Sequence, residues 1–221
     1  MISPRRSRKR SAKALPDSDR GRKDHVRVVV EKYSAKELEP VLSVLANAFI
    51  TSPLHVSAFG PQRMDYNRLF FRIGLRDMFH GETFVASLNG AICGYAHFKA
   101  SPYCLPPPEE LPNAMANLLK PLGAASPRVM KWFARWCRFD PDEPHIHLGP
   151  IGVAPEMQGQ GVGTALMNRY IEYLRQEKLP GYLETDKPEN VKFYQKFGFT
   201  VQREEELIGT PVWYMWRERE P

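Results

Sequence analysis

Leu148-Gly149-Pro150-Ile151-Gly152-Val153-Ala154-Pro155-Glu156-Met157-Gln158-Gly159-Gln160-Gly161-Val162-Gly163-Thr164-Ala165-Leu166-Met167 decides the reading of this chain. An apolar strand feeds a turn containing Gly159, Gly161 and Gly163, and a helix with apolar periodicity follows at once. Glycines let backbone amides approach a ligand with no Cβ in the way. A helix start adds unpaired N–H groups and a positive dipole end, which together suit phosphate. Taken alone, the turn is equally compatible with tight strand–helix packing. Two other phosphate motifs do not fit its spacing. A P-loop requires a lysine after the last glycine, and none is present. The glycine interval also differs from that of a dinucleotide-binding turn.

Working outward, Val26, Val28 and Val30 alternate with Arg27, Val29 and Glu31 as a first strand. Ser34 and Glu37 have capping-box spacing ahead of a helix carrying Leu38, Val41, Leu42, Leu45 and Phe49 on one stripe. A second helix is expected over 63–79. Strands over 82–88 and 91–99 are joined by Asn89-Gly90, the strongest short hairpin signal. The proline-rich stretch 101–144 reads as irregular, with one helix near 128–138. Further strands are expected over 145–153 and 181–186, with helices over 161–178 and 189–197. A closing hairpin over 199–217 turns through Gly209-Thr210-Pro211. The expected fold is α/β: a mixed, mostly antiparallel central sheet with helices on both faces.

Charge divides the chain. The net +6 is carried entirely by residues 1–25, with nine Lys/Arg against three Asp, while the remainder has 22 of each sign. The neutral remainder argues against a nucleic-acid footprint on the domain itself, leaving the tail as the one candidate for such contact. The tail has almost no large apolar side chains and is expected to be disordered. The domain organisation read here is therefore a basic tail, 1–25, and one domain, 26–221. No run approaches the roughly 18–20 apolar residues of a membrane helix, and no secretory signal is evident, so a cytoplasmic protein without a membrane partner is expected. Cys93, Cys104 and Cys137 are widely spaced, with no C-x-x-C and no paired histidines at zinc-ligand spacing, and no metal is expected.

Gln158-Gly159-Gln160-Gly161-Val162-Gly163 resembles the Q-x-x-G-x-G signature of the GCN5-related N-acetyltransferases. Asn190-Val191-Lys192-Phe193-Tyr194-Gln195-Lys196-Phe197-Gly198-Phe199 resembles the same family's N-x-x-x-Y-x-x-x-G-F element, in the right order and at the right distance. Within that family, Leu183-Glu184-Thr185-Asp186 with Pro188 and Asn190 looks like the puromycin N-acetyltransferase branch. The resemblance implies a sheet splayed at an acetyl-CoA site. Gln158, Gly159, Gln160, Gly161, Val162, Gly163 and Thr164 would hold the pyrophosphate, and Ile151 and Val153 would flank the pantetheine arm. Asn190 would touch the cosubstrate, and a backbone N–H near Val153 would polarise the thioester carbonyl.

It further implies direct attack by an amine through a tetrahedral intermediate, with Tyr194 as general acid toward the departing thiolate. The alternative for Tyr194 is simple packing beside Phe193 and Phe197. A base must take the ammonium proton. His145 and His147 share one strand face, and His147 lies nearer the expected reaction centre. Glu184 is its rival. The segment 101–144 is expected to cover the acceptor site, and the basic row Arg128, Lys131, Arg135 and Arg138 reads as a solvated face. The function expected is acetyl transfer from acetyl-CoA to a small primary amine, by a monomer or homodimer. A protein amine acceptor and a non-catalytic acyl-CoA sensor are the alternatives.

Overall fold

A computed structural model describes residues 27–102 and 111–221. The expected tail, Val26 and Cys104 lie outside these residues. One seven-stranded sheet organises the rest: β1 (Val29–Lys32), β2 (Glu82–Leu88), β3 (Ala91–Ala100), β4 (Ile146–Val153), β5 (Gly181–Thr185), β6 (Thr200–Leu207) and β7 (Thr210–Arg217). Their spatial order is β1-β2-β3-β4-β5-β7-β6, and only the β4–β5 pair is parallel. The parallel step exists because a helix, α6 (Val162–Glu177), carries the chain from β4 back to the start of β5.

Strand alternation splits the interior into two cores. Phe84, Ala86, Ala96, Phe98, Leu148 and Leu183 face α6, whose Val162, Leu166, Tyr170 and Leu174 are buried against them. An added Cβ at Gly94 would lie 2.8 Å from Val162 Cγ1 and 3.0 Å from Leu166 Cδ1, so this glycine sets how closely α6 sits. Val85, Tyr95, Tyr182 and Tyr214 face the other way. They are covered by α1 (Leu38–Phe49), α2 (Pro53–Phe59), α3 (Met64–Ile73), α4 (Leu111–Leu122) and α5 (Ser126–Phe139). The last helix, α7 (Pro188–Gln195), follows β5. No single helix among the described residues is long and apolar enough to cross a membrane.

Local sequence chemistry accounts for the element ends. The Ser34 N–H donates to the Glu37 carboxylate at 2.6 Å, one half of the expected capping box, ahead of a short 3-10 turn that leads into α1. Asn89 and Gly90 take φ of 52° and 79°, as the hairpin between β2 and β3 requires.

Four expectations need correction. The helix expected over 63–79 ends at Ile73 and continues as a π turn, Gly74–Met78, closed by Phe79 N–H to the Gly74 carbonyl at 2.8 Å. The Phe79 ring folds onto Gly74, where an added Cβ would be 2.5 Å away, and the wider turn makes that room. Within 101–144, α5 is the helix expected near 128–138, but α4 is a second helix; Pro112 and Pro127 stand in first turns where proline costs no hydrogen bond, and Pro121 falls in the last turn of α4. The last hairpin turns at Ile208-Gly209, with φ of 47° and 79°, so Thr210 and Pro211 belong to β7. Helix α2 was not foreseen. It is held from outside, by Asp186 at the end of β5 accepting from the Leu54 N–H at 2.8 Å and from the Ser52 hydroxyl.

Candidate active site

The site begins where β4 leaves β5. The two strands pair only at Ile146↔Gly181 and His147↔Tyr182. On its other side β4 stays with β3 as far as Gly94↔Val153, but Gly149 and Pro150 together oppose His97 between Ala96↔Ile151 and Phe98↔Leu148. Such a bulge bends the strand, and proline offers no N–H to a ladder. His97 fills the bulge by donating from Nδ1 to the Gly149 carbonyl at 2.7 Å. Burial lowers its pKa to about 4 against that contact, so the ring is neutral. Past His147 the β5-facing edge of β4 therefore has no strand partner, and a cleft opens there.

The two rival bases meet at the vertex of this cleft. His147 Nε2 lies 2.8 Å from Glu184 Oε2, across the only stretch where β4 and β5 pair. The Glu184 side chain is 3% exposed, and its Oε1 has no hydrogen-bond partner among the described residues. Asp140, which follows α5, approaches His147 Nδ1 at 3.5 Å and His145 Nε2 at 3.6 Å. Burial works to raise the Asp140 carboxyl, and the two imidazoles outweigh it, leaving the group well below the usual carboxylate range.

Tyr194 lines the same cleft from α7, with Asn190 one turn earlier. The tyrosine is 5% exposed, and its ring contacts Phe193 and Phe199. Burial first, then the Asp186 carboxylate, push its phenol above the ordinary value, so it holds its proton at neutral pH as an acid requires.

The glycine turn lies at the start of α6. Gly159 and Gly161 take φ of 75° and 85°, and a Cβ added to either would meet nothing within 4 Å. Their freedom therefore serves an open concavity, not packing. The first hydrogen bond of α6 is Ala165 N–H to the Gly161 carbonyl at 2.9 Å, so the amides of Val162, Gly163 and Thr164 precede the ladder. No side chain caps this end. Gln158 and Gln160 flank the first of these glycines. Their side-chain amides turn inward, to the Val153 carbonyl at 3.3 Å and the Glu156 carbonyl at 3.1 Å, and so brace the turn.

Of the expected residues, Ile151, Asn190, Tyr194, His147 and Glu184 line one cleft. Val153 and the run Gln158 to Thr164 lie outside that lining, at the approach to α6. The cleft encloses about 170 Å³ of space open to water-sized guests. Sequence reasoning missed much of its wall. His55 sits among Phe49, Phe59, Phe70, Phe71 and Trp132 and donates from Nδ1 to Asn67 Oδ1 at 2.7 Å. Burial lowers its pKa to about 4. Phe70, Trp132, Phe133 and Trp136 form a continuous aromatic block. The only sequence signal for that block was the apolar side of the helix expected near 128–138. In the structure, α5 lines the cleft with Trp132, Phe133, Trp136 and Cys137. Arg128, Lys131 and Arg138 are exposed on its outer face, while Arg135 is half-buried, 3.4 Å from Glu205. Charged lining groups are Asp140, Glu184 and Asp186 against Lys99, an excess of carboxylate that suits a cationic guest.

With this geometry in place, comparison with known proteins is informative. The family model described as Acetyltransferase (GNAT) family matches residues 50–199. Among solved structures, the fold resembles one described as histone acetyltransferase HPA2 and related acetyltransferase from Corynebacterium glutamicum. The TM-score is 0.69 at 21% identity, over 88% of this chain and 97% of that one. It also resembles arylalkylamine N-acetyltransferase 2 from Aedes aegypti, with TM-score 0.60 at 15% identity over 86% and 98%. An agmatine N-acetyltransferase gives TM-score 0.59 at 15% identity over 86% and 98%.

Proposed function

The chain belongs to the acetyltransferase (GNAT) family and is an acetyl-CoA-dependent acyltransferase, and we propose that its acceptor is a small primary amine with an apolar, aromatic body. The observation that carries this reading is the composition of the cleft. Its lining combines Glu184, Asp140 and Asp186, which suit an ammonium, with Phe70, Trp132, Phe133 and Trp136, which suit a ring. The roof over that wall is α5, a helix of this domain, so the acceptor end is covered where a protein chain would need an open groove. The agmatine and arylalkylamine enzymes of similar fold act on small amines by their descriptions, in keeping with this assignment. The puromycin N-acetyltransferase-like branch, resembled through Leu183-Glu184-Thr185-Asp186, fits the same substrate class.

The residues present fit the cosubstrate. The open concavity at Gly159 and Gly161, with the amides of Val162, Gly163 and Thr164 behind it, offers an anion site at a helix N-terminus. The unpaired edge of β4 leads from there through Val153 and Ile151 to Tyr194 and Asn190. The thioester supplies an activated acetyl group. Glu184, hydrogen-bonded to His147, binds the ammonium and takes its proton. Tyr194 donates its proton to the departing sulfur. Aromatic walls exclude water from the transfer.

A thiol-release assay on the full chain with acetyl-CoA tests this. Phenylalkylamines and aminoacyl aromatic amines should turn over with kcat/KM at least about tenfold above agmatine and lysine peptides. Preference for lysine peptides would replace this reading with the protein-acceptor one. Acetyl-CoA binding without turnover on any amine would point to a sensor.

A further inference from the structure

Asp140 and His145 join His147 of the base pair in a cluster of two histidines and a carboxylate, more groups than the acetyl transfer itself requires. We propose that Asp140, His145 and His147 bind a divalent transition-metal cation of the zinc class, with an open coordination position facing the acceptor end of the cleft. One donor atom from each of the three lies within 4.8 Å of the other two. Asp140 Oδ1 is 3.6 Å from His145 Nε2 and 3.5 Å from His147 Nδ1. These separations are too long for good hydrogen bonds. They are close to the edges, about 3.3–3.4 Å, of a tetrahedron built on zinc–nitrogen bonds of about 2.0–2.1 Å.

The opposite nitrogen of each ring is already committed. His145 Nδ1 lies 2.8 Å from the Glu143 carbonyl, which can only accept, so Nδ1 carries the proton and Nε2 presents its lone pair toward Asp140. His147 Nε2 lies 2.8 Å from Glu184, and donating to that carboxylate leaves Nδ1 as the lone pair facing Asp140. Metal-binding histidines are oriented in this way, by a carbonyl or carboxylate holding the second nitrogen. The nitrogens facing Asp140 can thus ligate a single cation from neutral rings or, with a proton on each ring, donate to the carboxylate.

Access favours the cation. His145 is fully buried, but Asp140 and His147 line the cleft, so a bound ion would keep one position open to it. Asp140 and Glu184 supply compensating negative charge even with Lys99 across the strand pair from His147. The His-x-His spacing puts both rings on one strand face, and the turn after α5 delivers Asp140 to it. The expectation of no metal rested on cysteine and histidine spacing along the chain, whereas this cluster joins a His-x-His pair to an aspartate from the end of another element.

The test is titration of chelator-treated full-length protein with cobalt(II), followed by its visible ligand-field absorption and by displacement with zinc. One cobalt per chain should bind, with the intense spectrum of low-symmetry four- or five-coordination. Glu184→Gln should weaken binding about 10–100-fold by loosening His147. His145→Gln should abolish it. Because His145 is buried, Asp140→Asn provides a second variant at a half-exposed position, and acetyl-CoA binding reports that each variant is folded. The proposal stands independently of acceptor identity. No spectrum, or cobalt affinity unchanged by Asp140→Asn and Glu184→Gln, would overturn it in favour of protonated rings sharing the Asp140 carboxylate.

Discussion

His147 Nε2 and Glu184 Oε2 stand 2.8 Å apart, where His147 makes the last β4–β5 pair, with Tyr182, and Glu184 lies two residues beyond it. The two candidates for one role are therefore a single hydrogen-bonded unit, and their removal should be non-additive. Glu184→Gln and His147→Asn should each lower kcat/KM by about 10²–10³-fold, within the range of general-base catalysis. The double variant should be no more than a few-fold worse than the poorer single. Full multiplicativity in the thiol-release assay would show two separate roles.

Tyr194→Phe removes one hydroxyl from a side chain packed among Phe193 and Phe199. The ring stays, so thermal stability and acetyl-CoA affinity should change little. The kcat should fall about 10²-fold or more if the phenol supplies the thiolate's proton. A rate within twofold of the parent would reassign Tyr194 to packing.

Two glycines separate ligand binding from packing. Gly161→Ala should raise KM for acetyl-CoA about tenfold, because a Cβ enters an open concavity, and should cost about 1–2 kcal/mol for its positive φ. Gly94→Ala puts a methyl 2.8 Å from Val162 Cγ1 and should destabilise by about 1–3 kcal/mol, with KM for acetyl-CoA nearly unchanged in the folded fraction. Isothermal calorimetry with CoA and urea denaturation measure the two effects.

Stability should fall in mild acid. His55 and His97 are buried and neutral, each with a pKa lowered by burial from 6.5 to about 4. Between those values the unfolded chain binds more protons than the folded one, so unfolding free energy falls as pH drops through this window. Each histidine contributes at most about 3 kcal/mol across it. Urea midpoints from pH 7 to 4.5 check this, and His97→Gln should flatten the slope by about half of the two-histidine contribution.

What the sequence by itself determined was everything that local periodicity and backbone chemistry encode. Alternation set the strands and, through parity, put His145 and His147 on one face. The Gly159–Gly161 turn and the Asn190–Tyr194 helix carried both the family and the acetyl-CoA end of the site, because a positive φ and an unpartnered helix start depend on neighbouring residues alone. The acceptor end was not legible. Phe70, His55 and the pair Trp132 and Asp140 come from three separate stretches, and proline-rich sequence concealed α4. Helix α2 has an anchor, Asp186, more than 130 residues away. The pairing of His147 with Glu184 was decided by where the bulge at Gly149-Pro150 ends the β4–β5 ladder, a tertiary outcome of strand order. Side chains brought together across a sheet leave no periodic trace, and only packing of the whole chain fixes their distances.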